Sequence, residues 1–150
     1  MVVRDAEGED VPALVAMLAD DTLGRSRERL EDPLPQPYWD AFAAIEADAN
    51  NRVLVAEIDG AVAACLQLTF IPGLSRLGAE RAQIESVRVA SAHRGAGLGR
   101  KLIEAAIAEA RRHGSTIVQL TTDKTRADAR RFYESLGFVA SHDGMKLNLG

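Results

Sequence analysis

The sequence predicts an α/β fold: a mixed, mostly antiparallel central sheet flanked by helices. Three observations carry this. The apolar runs RVLVAEID and AVAACLQLTFI meet at Asp59-Gly60, a two-residue signal for an antiparallel hairpin. From Val87 onward a strand pattern, a glycine-rich loop, a long helical pattern and a second strand pattern follow in turn, the order of a crossover that makes a parallel pair. Amphipathic helical patterns lie both before and after the strand block.

In chain order, Val2–Asp5 reads as a short strand. In EDVPALVAMLADD, Asp10 is placed to cap a helix, Pro12 suits its first turn, and Leu14, Val15 and Leu18 mark one face. Thr22 to Pro37 holds charges, Gly24 and three prolines and reads as a loop or broken helix. Tyr38–Ala49 is a second amphipathic helix with Tyr38, Phe42 and Ile45 on one side, ended by Asn50-Asn51. The hairpin follows, then GAERAQIESVRVA as a third strand run.

The long helix runs from Gly97 to His113. Leu98, Leu102, Ile103, Ala106, Ile107 and Ala110 keep its period, and Arg111, Arg112, His113 and Gly114 give it a basic last turn and a glycine stop. Thr116–Thr122 is a strand. Thr125–Gly137 is a helix that starts with the capping-box pattern Thr125-x-x-Asp128. FVASH and GMKLNLG read as terminal strands joined at Asp143-Gly144. The order is β-α-α-β-β-β-α-β-α-β-β in a single domain over residues 1–150, with no repeat and no linker.

Composition narrows the function. The net charge is −4 and no basic face stands out, so nucleic acid is not an expected partner. The longest apolar run is broken by Gln67, Thr69 and Pro72, too short and mixed to span a membrane. The N-terminus turns acidic at once and has no apolar signal core, which points to a cytoplasmic protein. The lone Cys65 makes no internal disulfide and reads as a buried core thiol. His93, His113 and His142 are scattered without metal spacing, so no metal is expected.

The informative stretch is HRGAGLGRK, His93 to Lys101. Glycines admit positive φ and let backbone N–H groups approach a ligand closely. A helix N-terminus adds unpaired donors and partial positive charge. Together they suit a phosphate. The dinucleotide pattern needs glycine where Arg100 stands, and the P-loop needs Gly-Lys-Ser/Thr where Gly99, Arg100 and Lys101 stand, so both fail. Upstream, Ile84 is apolar at an even position and Val87 and Val89 at odd ones. The change of phase predicts a β-bulge near Glu85 or Ser86.

IESVRVASAHRGAGLGRKLIEAAIAEA resembles the acetyl-CoA-binding segment of the GNAT family of N-acetyltransferases, whose hallmark is Arg/Gln-x-x-Gly-x-Gly/Ala; Arg94, Gly97 and Gly99 match it. ARRFYESLGF is similar to the family's second signature, Ala-x-x-x-Tyr-x-x-x-Gly-Phe. With the element order, the resemblance covers nearly the whole chain. It implies the acyl-CoA N-acyltransferase fold and direct acetyl transfer from acetyl-CoA to an amine, with no covalent acyl-enzyme.

The resemblance also assigns roles. Backbone amides of Gly95, Ala96, Gly97, Leu98, Gly99 and Arg100, with Arg94, would hold the CoA pyrophosphate. The edge at Val87, Arg88 and Val89 would pair with the pantetheine arm, and the Val89 amide would polarise the thioester carbonyl. Glu85 is the candidate general base, because most of an amine with a pKa near 10.4 is protonated at neutral pH. A solvated glutamate, or one paired with Arg88, is the plain alternative. Tyr133 is the candidate acid for the departing thiolate, against a packed tyrosine with a wet hydroxyl. Arg126 stands where many members carry an asparagine that contacts the pantetheine arm, and it would reach a CoA phosphate or face solvent. Tyr38, Trp39, Phe70 and Ile71 would wall the acceptor.

A small primary amine is the expected acceptor. A protein amino group, a non-catalytic acyl-CoA sensor and a nucleotide-phosphate module are the alternatives, and a homodimer is the candidate assembly.

Overall fold

Asp59 and Gly60 take φ of 51° and 80°, the left-handed pair that a two-residue hairpin between twisted strands demands. They join β2 (Asn51–Ile58) to β3 (Ala61–Ile71), and the two strands pair antiparallel from Asn51 opposite Thr69 to Ile58 opposite Ala61. Around this hairpin the computed structural model, which describes residues 1–150, builds a five-stranded sheet. Its order is β1 (Val2–Asp5), β2, β3, β4 (Arg81–Val89), β5 (Ile117–Leu120). Among the first four strands each neighbouring pair is antiparallel. The fifth runs parallel to β4: Thr116 N–H donates to Glu80 O at 3.1 Å, and three residues on, Gln119 Nε2 donates to Gln83 Oε1 at 2.8 Å. The predicted mixed sheet is therefore present.

The chain divides into two units, Met1–Gln119 and Leu120–Gly150. In the first, the two-residue period of β2 sends neighbouring side chains to opposite faces. Val55 packs with Cys65 and with Leu14 and Met17 of α1 (Val11–Ala19). Leu54 lines a crevice with Ala105 and Ala108 of α4 (Leu98–His113). The sheet is thus covered on both faces. Leu102, Ile103 and Ala106 of α4 are fully buried, and each of the larger two contributes about 1.5–3 kcal/mol by leaving water. The helix ends as predicted: Gly114 has φ 96°, and Ser115 N–H closes on Ala110 O at 2.9 Å.

Elsewhere the expectations need correction. On α1 the fourth core residue is Met17, with Leu18 half-buried. Asp10 precedes α1 but gives it no side-chain cap. It closes a capping box with Glu7 around the short 3₁₀ turn Gly8–Asp10 and binds Arg4 through both oxygens, at 2.7 and 3.0 Å. The second helix, α2, spans Gln36–Ala47 and buries no residue fully. Between β3 and β4 lies a single left-handed turn, α3 (Ser75–Gly78), with φ of 57° at Arg76 and 60° at Leu77, which hydropathy patterning does not announce.

In the second unit α5 (Ala127–Ser135) begins later than predicted, because Asp123 captures Thr125. Thr125 N–H and Oγ1 both donate to Asp123 Oδ1, at 2.9 and 2.6 Å, so the expected Thr125–Asp128 box does not form. The helix terminates at Gly137 (φ 98°), with Phe138 N–H on Tyr133 O at 3.1 Å. Residues 138–150 form no strand and all but the half-buried Phe138 are exposed, so the two expected terminal strands are absent.

Candidate active site

The predicted bulge is present. Gln67 pairs with Glu85 and Cys65 with Arg88, so a two-residue step on β3 faces three residues on β4. The extra residue is absorbed at Ser86, whose φ is 54°. Left-handed backbone is costly for a side-chain-bearing residue, and it recurs where a strand must be re-aimed. The bulge turns Glu85 outward, exposed, with its carboxylate accepting Gln83 Nε2 at 2.9 Å. Behind it Cys65 is 4% exposed and its thiol faces Ser86 O at 3.9 Å. Burial pushes that thiol up to about 11, so it is a core group rather than a nucleophile.

Past the bulge, Val87, Arg88 and Val89 are half-buried. Arg88 does not pair with Glu85 as the plain reading supposes. Its Nη1 donates to Val87 O at 2.8 Å, Nη2 lies 3.6 Å from Asp21, and its buried Nε has no partner. Arg94 does the parallel thing one turn on. Its Nε donates to Val89 O at 3.1 Å, and its Nη2 reaches Asp20 O and Oδ2 at 3.2 and 3.3 Å. The end of α1 is thereby fastened to the last residues of β4 and the loop after it.

That loop is the glycine stretch. Gly95 and Gly97 have φ of 84° and 77°, and a Cβ at either would meet nothing within 4 Å. Backbone conformation, not space, therefore demands glycine, and the ground before the helix is open. Gly97 caps α4 without a side-chain bond, and the first intrahelical bond runs from Lys101 N–H to Gly97 O. The N–H groups of the first turn are consequently offered outward with the dipole behind them. A diphosphate fits this arrangement chemically. Leu98 is the buried hinge of the turn, and Arg100 lies 3.9 Å from Glu104 along the helix.

Tyr133 and Arg126 belong to the second unit. The Tyr133 ring stands edge-on to Phe132 and Phe138, with centroids 5.2 and 5.9 Å away. Arg126 occupies the N-cap position of α5, and its N–H donates to Asp123 O at 2.9 Å. The first unit thus brings together Glu85, the bulge, Arg88, Arg94 and the glycine loop. Sequence reasoning missed Asp20 and Asp21. The signal was there: acids at a helix C-terminus run against its dipole and call for cationic partners.

Residues 15–138 match the profile of the Acetyltransferase (GNAT) family. The chain belongs to the GNAT family. This GNAT chain is 30% identical over 144 residues to an aminoalkylphosphonate N-acetyltransferase from Salmonella typhimurium, a match covering 93% of this chain and 86% of that protein. Among solved structures it resembles one described as a transcriptional regulator from Bacillus halodurans, with TM-score 0.97, 49% identity and 99% of each chain covered. It also resembles a putative acetyltransferase from Agrobacterium tumefaciens, with TM-score 0.87, 30% identity and 99% of each chain covered. The activity class of this GNAT chain is acetyl-CoA-dependent N-acetyl transfer.

Proposed function

We propose that the 150 residues act as one acetyltransferase domain that moves an acetyl group from acetyl-CoA to a small primary amine by direct attack. The observation that carries this reading is the bulge at Ser86, immediately before the open glycine loop. It re-aims β4 just before Val87–Val89, where a thioester would have to lie beside a strand edge. Gly95 to Arg100 hold the diphosphate through main-chain donors, with Arg94 and Arg126 as cationic support. Val87, Arg88 and Val89 present the edge for the pantetheine arm, and the Val89 N–H polarises the thioester carbonyl.

In this reading Glu85 accepts a proton from the incoming ammonium, and the neutral amine attacks. Tyr133 gives its proton to the sulfur as the C–S bond breaks. A thiol near 8.5 and a phenol near 10 make that transfer mildly uphill, so it can accompany bond cleavage. The likeness to an aminoalkylphosphonate enzyme supports a small acceptor over a protein amino group. The test is thiol release from acetyl-CoA across a panel of amines that includes aminoalkylphosphonates. Turnover with a small amine, reduced at least tenfold in Glu85→Gln, supports the reading. Acetyl-CoA binding with no turnover on any amine would instead favour a sensor.

A further inference from the structure

Glu85 is held by one side-chain amide, and that amide is held by another. Gln83 Nε2 donates to Glu85 Oε1 at 2.9 Å, and Gln119 Nε2 donates to Gln83 Oε1 at 2.8 Å. Gln83 and Glu85 lie two residues apart on β4 and share a face of the sheet. Gln119 stands beside Gln83 on the parallel strand β5. Both glutamines are half-buried and Glu85 is exposed, so the support comes from the sheet and ends at the carboxylate. All three residues belong to the unit Met1–Gln119.

The relay has a direction. A primary amide offers hydrogens at one end and lone pairs at the other. Gln119 gives its hydrogen to the Gln83 oxygen, which leaves the Gln83 NH2 group for Glu85. With the Gln83 amide reversed, its oxygen would face the carboxylate and its NH2 group would face that of Gln119, and both bonds would be lost. The other polar side chains of this face take no part. Gln67 sits opposite Glu85 and Thr69 opposite Gln83, yet both give their hydrogens to Asn51 Oδ1, at 3.1 and 2.7 Å. Arg88, the nearest cation along the strand, is turned to Val87 O and Asp21. Glu85 is therefore anchored by a neutral donor. That suits a base, because a cation beside a carboxylate favours its charged form and weakens its hold on a proton.

We propose that Gln83 and Gln119 are positioning residues for the proton transfer, with the relay fixing Glu85 Oε1 and leaving Oε2 to take the proton. The inference rests on Glu85 as the base proposed above. The ammonium N–H bond breaks, its electron pair stays on nitrogen for the attack, and an Oε2–H bond forms. An exposed glutamate otherwise samples many rotamers, and holding it in one beforehand removes that search from the reaction.

Steady-state thiol release from acetyl-CoA, with the fastest amine of the panel above (2-aminoethylphosphonate among them), tests this as a double-variant cycle. Gln83→Met keeps the bulk of the side chain without its amide. It should lower kcat about tenfold and leave the KM for acetyl-CoA within about twofold of wild type. Gln119→Met, one step further from the carboxylate, should lower kcat about threefold. In a Glu85→Gln background neither should lower kcat further, since no base is left to position. A merely structural role would add its own loss in that background, and such a loss overturns the proposal. Should Gln83→Met unfold, as circular dichroism would report, Gln119→Met carries the test by itself. The two readings fail separately. Full turnover in Glu85→Gln, or a wild-type chain that turns over no panel amine, overturns the base and the relay with it. A loss in Glu85→Gln beside an unchanged kcat in both methionine variants overturns the relay alone.

Discussion

Arg94 and Asp20 are locked together: one guanidinium nitrogen lies 3.2 Å from the Asp20 carbonyl oxygen and 3.3 Å from its carboxylate, while the same side chain holds Val89 O. Both residues are half exposed, so the pair itself adds little to stability. Its value lies in presenting a cation beside the open glycine turn. Replacing Arg94 by Gln should raise the KM for acetyl-CoA about tenfold, the loss of one charge-assisted hydrogen bond of roughly 1.5–3 kcal/mol offset in part by water. The kcat should move less, because in the proposed reading the group holds the donor's phosphates rather than its reacting atoms. Steady-state kinetics at varied acetyl-CoA decides it; a fall in kcat with unchanged KM would contradict the role.

Gly97 separates conformation from contact. Its φ is 77° and a methyl group there meets nothing, so Gly97→Ala costs only the left-handed penalty, about 1–2 kcal/mol. Relief of that strain would tilt the first N–H groups of α4 away from their common direction. Denaturant unfolding should show a loss of about that size, and isothermal titration should show weaker acetyl-CoA binding. Gly97→Asn, which tolerates positive φ, should recover most of both losses.

These two sites also show what a sequence makes legible. The Asp59-Gly60 hairpin, the stop at Gly114 and the bulge before Val87 are local: each is written within a few residues as turn chemistry or a change of phase. The clasps of Arg88 on Asp21 and Arg94 on Asp20 join residues far apart in sequence, and no spacing rule reports them. Thr125 had two local partners within reach, and Asp123 won by taking both its N–H and its hydroxyl. GMKLNLG alternates apolar and polar residues, yet no strand forms there, because alternation by itself supplies no partner strand. The left-handed turn at Arg76 and Leu77 uses residues that do not favour it, so composition gave no warning.

Asp10 sets a pH dependence of stability. Arg4 bonds both its oxygens, and the Glu7 N–H donates at 2.7 Å. The Arg4 hydrogen bonds hold its carboxyl below the usual carboxylate range, against the opposing effect of burial. A depressed folded value means that the stabilisation is complete above the unfolded pKa, near 3.9, and is lost as pH falls through the folded value. Wild-type stability should therefore drop from about pH 4 downward more steeply than that of Asp10→Asn. At pH 7 that variant should be less stable by about 1.5–3 kcal/mol. Urea unfolding at a series of pH values measures both; parallel curves for the two proteins would remove Asp10 from the account.

Cys65 offers a probe of the bulge that needs no catalytic assay. It is buried, its thiol is pushed up to about 11, and it lies against the Ser86 carbonyl. At pH 8 only about one thiol in a thousand is ionised, and the closed strands admit no reagent. Labelling by N-ethylmaleimide must therefore wait for β3 and β4 to part, and its rate should be that of a local opening. Acetyl-CoA lying along Val87–Val89 would bind only the closed form. At ten times its Kd it should slow labelling about tenfold, in proportion to the closed population it adds. Mass spectrometry of quenched samples gives the rate, and full modification in denaturant confirms that the thiol is free. Equal rates with and without saturating acetyl-CoA would mean that the donor does not bind across the bulge.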